Sequence, residues 1–126
     1  MSNLSRRKQA HVDAVLSGKV NFERKSAGFD TMHFVHEALP ELKLSQVDLS
    51  TQFLGKRLAA PFLISSMTGG TPEAARINAT LAEAAEALGI ALAVGSQRVA
   101  LVTENHGGLD LQLRHHAPTV PIVRPW

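Results

Sequence analysis

Three stretches of this 126-residue chain carry side chains fit for chemistry. Near the start, Arg7 and His11 are four residues apart and Lys8 and His11 three, so a helix would bring all three toward one side. Cations held together repel unless an anion compensates them, and a diphosphate would do so while accepting paired bonds from arginine. The plain alternative is a solvated basic face paired with Asp13 or Glu23. The second stretch, Ser65-Ser66-Met67-Thr68-Gly69-Gly70, leads from an apolar run straight into a capped helix start. Its glycines let backbone approach a ligand, and Ser65, Ser66 and Thr68 offer hydroxyls. No lysine follows the glycines and Gly-x-Gly-x-x-Gly spacing is lacking, so neither a P-loop nor a dinucleotide fingerprint is present. Taken alone, it reads equally as a tight strand-to-helix turn. The third stretch, Gly95-Ser96-Gln97-Arg98, closes another apolar run. Arg98 there suits an anion, or is an ordinary surface charge beside a turn serine. His33, His36, His115 and His116 have no carboxylate or cysteine at ligand spacing and read as surface or packing residues, so no metal site is assigned.

Positioning these groups requires a scaffold, and its outline is an α/β pattern. Residues Ser5 to Leu16 read as a helix with Val12, Val15 and Leu16 on its apolar face and Gly18 at its stop. Between Gly28 and Leu39, "TMHFV" suits a strand while "HEALPEL" suits a helical turn cut by Pro40. From Leu44 to Leu58 the alternation predicts short strands with a hairpin turn at Gly55-Lys56. "APFLIS" and "IALAVG" are uninterrupted apolar runs of the kind buried in parallel sheets. Between them Thr71 caps a helix, Pro72 opens it, and Ile77, Leu81, Ala84, Ala85 and Leu88 form a stripe ending at Gly89. Pro61 to Val94 is therefore a βαβ unit, whose loops after the two strands fall on one rim. Gly108 to Arg114 reads as a short helix and "APTVPIV" as the start of a third strand.

Composition narrows the classes. At 44% hydrophobic the chain suffices for one small domain, and it has no cysteine for disulfides or thiolate metal sites. No apolar run is long enough to span a membrane, and the basic first residues lack a secretory pattern, so a cytoplasmic location is expected. The net charge of +2 is spread among alternating acids and bases, which argues against a nucleic-acid partner.

Together, "RK..H" near the start, "APFLISSMTGG" and "VGSQR" resemble the type 2 isopentenyl-diphosphate isomerases, and "VDLSTQFLGKRLAAPF" and "RINATLAEAAEALGI" fit between them. The resemblance covers nearly everything from Arg6 to Ile122. It implies the N-terminal part of a flavin-dependent (β/α)8 TIM barrel, with residues 1–60 as lead-in and 61–126 as the first βα units. The implied activity interconverts isopentenyl diphosphate and dimethylallyl diphosphate in isoprenoid biosynthesis, in an enzyme that is usually a homo-oligomer. FMN reduced by NADPH or NADH, and Mg2+, are the implied cofactors. Carried over by position, Ser66, Met67, Thr68, Gly69 and Ser96 contact the flavin, while Arg7, Lys8, His11 and Arg98 hold the diphosphate; no catalytic residue is assigned. After Ile122 the family's "A-N-[LI]-G" gives way to "VRPW". A barrel needs about 250 residues, so the expectation is a shortened chain, inactive alone, arising by frameshift, early stop or deliberate cut. Other FMN barrels acting on 2-hydroxy acids or nucleotides, and a non-catalytic product, are the rival expectations.

Overall fold

A computed structural model describes residues 3–96 and 112–124. Helix α1 (Asn3–Leu16) begins two residues earlier than the spacing predicts. It closes where Ser17 Oγ donates to the Ala14 carbonyl at 2.6 Å and Gly18 turns left-handed at φ 68°.

The chain then runs to Ser50 without a strand. Its regular structure there is two single 3-10 turns, Phe29–Thr31 and Leu44–Gln46. "TMHFV" forms no strand, and Phe34 and Val35 stand 95% and 90% exposed. Strand propensity needs a neighbouring edge to become a strand, and among the described residues none lies beside this segment. The strand expected around Leu44 is likewise replaced by a 3-10 turn.

Strands β1 (Thr51–Phe53) and β2 (Lys56–Leu58) form an antiparallel hairpin in which Phe53 pairs with Lys56. The turn residues are therefore Leu54 and Gly55 instead of Gly55 and Lys56. Both have positive φ, 50° and 74°, as a two-residue turn matched to strand twist demands.

The remainder is a parallel layer with helices: β3 (Leu63–Ile64), α2 (Pro72–Leu88), β4 (Ala91–Ala93), α3 (Leu113–His116) and β5 (Ile122–Val123). The strand order is β3-β4-β5, all parallel, with Leu63 beside Ala91 and Leu92 beside Ile122. Within the expected 108–114 helix, only its end is described, and there α3 runs on to His116. Helix α2 follows its punctuation: Thr71 Oγ1 accepts from the Ala74 amide at 3.1 Å, Pro72 occupies the first turn, and Gly89 stops it at φ 64°.

Its buried face differs from the expected stripe. Ala74, Asn78, Ala82 and Ala85 point inward, Ile77 and Leu81 are half-buried, and Leu88 is 63% exposed. Small residues win the inner positions because they let the helix lie close on the sheet. Ala82, Ala85, Leu92, Val94, Leu113, Ala117 and Val120 make the core.

Two fastenings complete the layer. The Glu86 carboxylate accepts from the Thr119 and Val120 amides at 3.0 and 3.1 Å and from the Thr119 hydroxyl, leading the chain into β5. Burial pushes the Glu86 carboxyl up, but these hydrogen bonds and the nearby Arg114 outweigh it and hold the group below its usual range. The hairpin packs at the amino ends of the strands, where Ala59 donates to the Gly89 carbonyl at 2.8 Å and a cavity of about 290 Å³ lies between Phe53, Leu58, Phe62, Leu63 and Ala91. That leaves the carboxyl ends as the other rim.

Candidate functional site

Parallel β3 and β4 deliver their following loops to the same rim, and the two loops touch. A Cβ on Gly95 would sit 2.6 Å from the Thr68 carbonyl oxygen and 2.9 Å from its carbon, closer than side-chain atoms approach backbone. Only glycine lets β4 end there. The Thr68 carbonyl also accepts from Asn78 Nδ2 at 3.1 Å, and both residues are buried. The β3–α2 loop is thus pressed by the next loop on one side and tied to its own helix on the other.

Helix α1 lies against this junction. Gln9 Nε2 donates to Glu73 Oε2 at 2.7 Å and to Asp13 Oδ1 at 3.1 Å, which seats α1 on the first turn of α2. Glu73 suits that position, since a carboxylate near a helix amino end meets unpaired amides. Between the helices is a cavity of about 200 Å³ with Lys8, His11, Val12, Val15 and Leu16 of α1 on one side and Met67, Thr68 and Ile77 on the other. Its walls are mostly apolar, with two basic side chains among them. Among the described residues no carboxylate lies within ion-pair distance of Arg7, Lys8 or His11; the ion pairs found are Asp48 with Arg57 and Glu83 with His116. Asp13 and Glu23 therefore do not neutralise the basic cluster.

The candidate residues fall as follows. Lys8, His11, Met67 and Thr68 share the cavity. Arg7 is exposed and outside its lining, so Arg7, Lys8 and His11 do not all face one space. Ser66 is exposed, Gly69 is buried, and Ser96 is half-buried directly after the Gly95 contact. Arg98 lies outside the described residues. His33 and His36 are exposed, and among the described residues no three His, Cys, Asp or Glu groups converge as a metal site.

Sequence reading passed over two residues that hold the site together. Gln9 carries no distinguishing signal. Asn78 does: it interrupts the small-residue series Ala74, Ala82, Ala85 at helical spacing, and a lone amide on an inward face marks a buried hydrogen bond.

The set fits a planar aromatic group with an anionic tail. Met67 offers an apolar surface 67% exposed, Thr68 and Gly69 are buried, Ser66 and Ser96 carry hydroxyls, and among the described residues no carboxylate pairs with Lys8 or His11.

The fold is α/β, and residues 1–113 match the profile of the FMN-dependent dehydrogenases, so the chain belongs to that family. Similar curated proteins carry the name isopentenyl-diphosphate delta-isomerase. Isopentenyl-diphosphate delta-isomerase of Xanthobacter autotrophicus is 57% identical over 121 residues, covering 96% of this chain and 35% of that protein. The proteins of the same name from Stutzerimonas stutzeri and Vibrio parahaemolyticus are 54% and 52% identical over 121 and 122 residues, 96% and 97% of this chain. The chain spans about a third of the length of these curated relatives.

Proposed function

We propose that this chain forms the flavin-facing and diphosphate-facing part of an isopentenyl-diphosphate delta-isomerase, built on the first units of a (β/α)8 barrel. One observation carries the reading: Lys8 and His11 of α1 and Met67 and Thr68 of the β3–α2 loop line a single, mainly apolar cavity, which suits a substrate with a diphosphate head and a short hydrocarbon tail. Lys8 and His11, together with Arg7 and Arg98, anchor the diphosphate in this reading. Ser66, Met67, Thr68, Gly69 and Ser96 hold FMN, and the apolar walls at Val12, Val15 and Ile77 exclude water.

The reaction moves a double bond by one carbon, adding a proton at one end of the allylic unit and removing one at the other, with no net redox change. When bound and reduced by NADPH or NADH, FMN supplies the acid/base group. The protein's own work is orientation, anchoring and dryness. Mg2+ belongs to the proposed cofactor set as a companion of the diphosphate, with no ligand assigned among the described residues. A homo-oligomer in the cytoplasm completes the reading.

A second reading, an FMN oxidoreductase acting on a 2-hydroxy acid, is favoured by the dehydrogenase profile. The basic side chains of α1, which pair with no carboxylate among the described residues, weigh against it, because a single carboxylate needs less positive charge than a diphosphate. Calorimetric titration of isopentenyl diphosphate into FMN-loaded protein separates the two. Lys8→Ala is expected to weaken this binding roughly 30-fold, the loss of one charge-assisted contact, with the FMN dissociation constant changed less than about twofold. Tight binding of a 2-hydroxy acid with indifference to isopentenyl diphosphate would overturn the isomerase reading.

A further inference from the structure

We infer that Asn78 is a positioning residue for the flavin, acting through the Thr68 carbonyl. The inference rests on the FMN assignment above and goes beyond it, since Asn78 lies in the helix behind the loop and outside the cavity lining.

Three observations meet at one residue, two of them at its carbonyl oxygen. The Thr68 oxygen receives the Asn78 amide at 3.1 Å, the backbone of Gly95 closes on the same oxygen, and Thr68 itself forms part of the cavity wall. Asn78 is 3% exposed on a helix face otherwise made of alanine, where a polar side chain is tolerated only when its hydrogen bonds are met. The fold could have used another alanine here and packed as closely. What the amide adds is a fixed direction for one peptide plane in the Met67–Gly70 loop, and therefore for the amide of Gly69 that shares it. Gly95 bears on that plane from the β4 side, so the setting of the first loop is shared with the loop carrying Ser96. The Asn78–Thr68–Gly95 contact thus couples the two flavin-binding loops, and FMN binds to a rim already in register.

Asn78→Asp keeps the shape but turns a donor toward the carbonyl into an acceptor. It is expected to weaken FMN binding roughly 30-fold, read by quenching of flavin fluorescence, in protein whose far-ultraviolet circular dichroism is unchanged. Gly95→Ala displaces the same peptide from the other side, so the double variant should bind FMN within about twofold of the weaker single variant instead of showing the product of the two losses. A purely structural role would lower the melting temperature of both variants without this non-additivity. Should Asn78→Asp not fold, the unsubstituted protein supplies the measurement: with asparagine labelled by 15N, the Asn78 side-chain amide is expected to shift and to exchange more slowly when FMN is added. Unchanged FMN affinity in folded Asn78→Asp, multiplicative losses in the double variant, or an Asn78 amide indifferent to bound FMN would each overturn the inference while leaving the FMN assignment standing. Failure of the unsubstituted protein to bind FMN would overturn the assignment and the inference with it.

Discussion

Residues 19–50 and residues 59–96 contain similar kinds of apolar side chain and treat them in opposite ways. In the second region Leu92 and Val94 are 1% exposed, and three alanines of α2 are sealed completely. In the first, Phe22, Phe34, Val35, Leu39 and Leu44 stand more than 80% exposed. The difference is periodicity with a partner. A helix and two parallel strands each direct one set of side chains to a common side, where they bury one another. The lead-in has β-branched and aromatic residues but no element facing it among the described residues, so nothing converts its hydrophobicity into burial. Apolar side chains exposed in such number are suited to contact with another surface.

The contrast can be pressed hardest in the core. Leu92→Ala is expected to destabilise the parallel layer by about 3 kcal/mol, the cost of deleting a fully buried leucine and leaving a cavity, and thermal unfolding followed by circular dichroism would register it. A loss below about 1 kcal/mol would mean that the layer is packed no better than the lead-in. A smaller effect should appear at Glu86, whose carboxyl is held below its ordinary range. A group depressed in the folded state contributes stability above its unfolded pKa and loses it as pH falls through the folded value. The melting temperature of the unsubstituted protein should therefore drop between neutral pH and pH about 3 more steeply than that of Glu86→Gln. Asp48 makes the matching control in the hairpin region: its carboxyl is also lowered, first by the Ser50 amide and hydroxyl and then by Arg57, yet it is fully exposed, so Asp48→Asn should leave the pH profile nearly unchanged. The smallest effect on stability belongs to Phe34→Ser, within about 0.5 kcal/mol, because the ring touches little. Its effect should appear instead in association, as a smaller weight-average mass by light scattering at high protein concentration. An equal mass for both would show that the exposed lead-in does not mediate contact between copies.

Legibility followed the same division. Thr71, Pro72 and Gly89 announced α2 to within a residue, because caps and stops act through local backbone chemistry that neighbours in the sequence largely control. The two apolar runs announced parallel strands, but only β4 is buried as such runs predict; β3 is the edge of the described sheet, where Leu63 stays 44% exposed and Ile64 half-buried because no strand covers its outer side there. The hairpin was placed but its turn was shifted by one residue, since register is settled by which side chains pair across strands, here Phe53 with Lys56. "TMHFV" misled because strand propensity describes fitness for a sheet that must be supplied from elsewhere. At the site, the loops after β3 and β4 were read directly from glycine and hydroxyl residues at strand ends. The role of Asn78 could be surmised only as an oddity in an alanine stripe, because its partner is ten residues away across a loop of unpredictable path.

What the sequence determined by itself was local: the start and stop of the central helix, the two parallel strands flanking it, and the kinds of side chain offered at their ends. Which face of that helix turned inward, the contact of Gly95 with the Thr68 carbonyl, and the selection of Lys8 and His11 but not Arg7 for the cavity were decided by tertiary structure. The physical reason is that these depend on distances of a few ångströms between segments far apart in the chain, set by how closely small side chains let helix, loop and sheet approach.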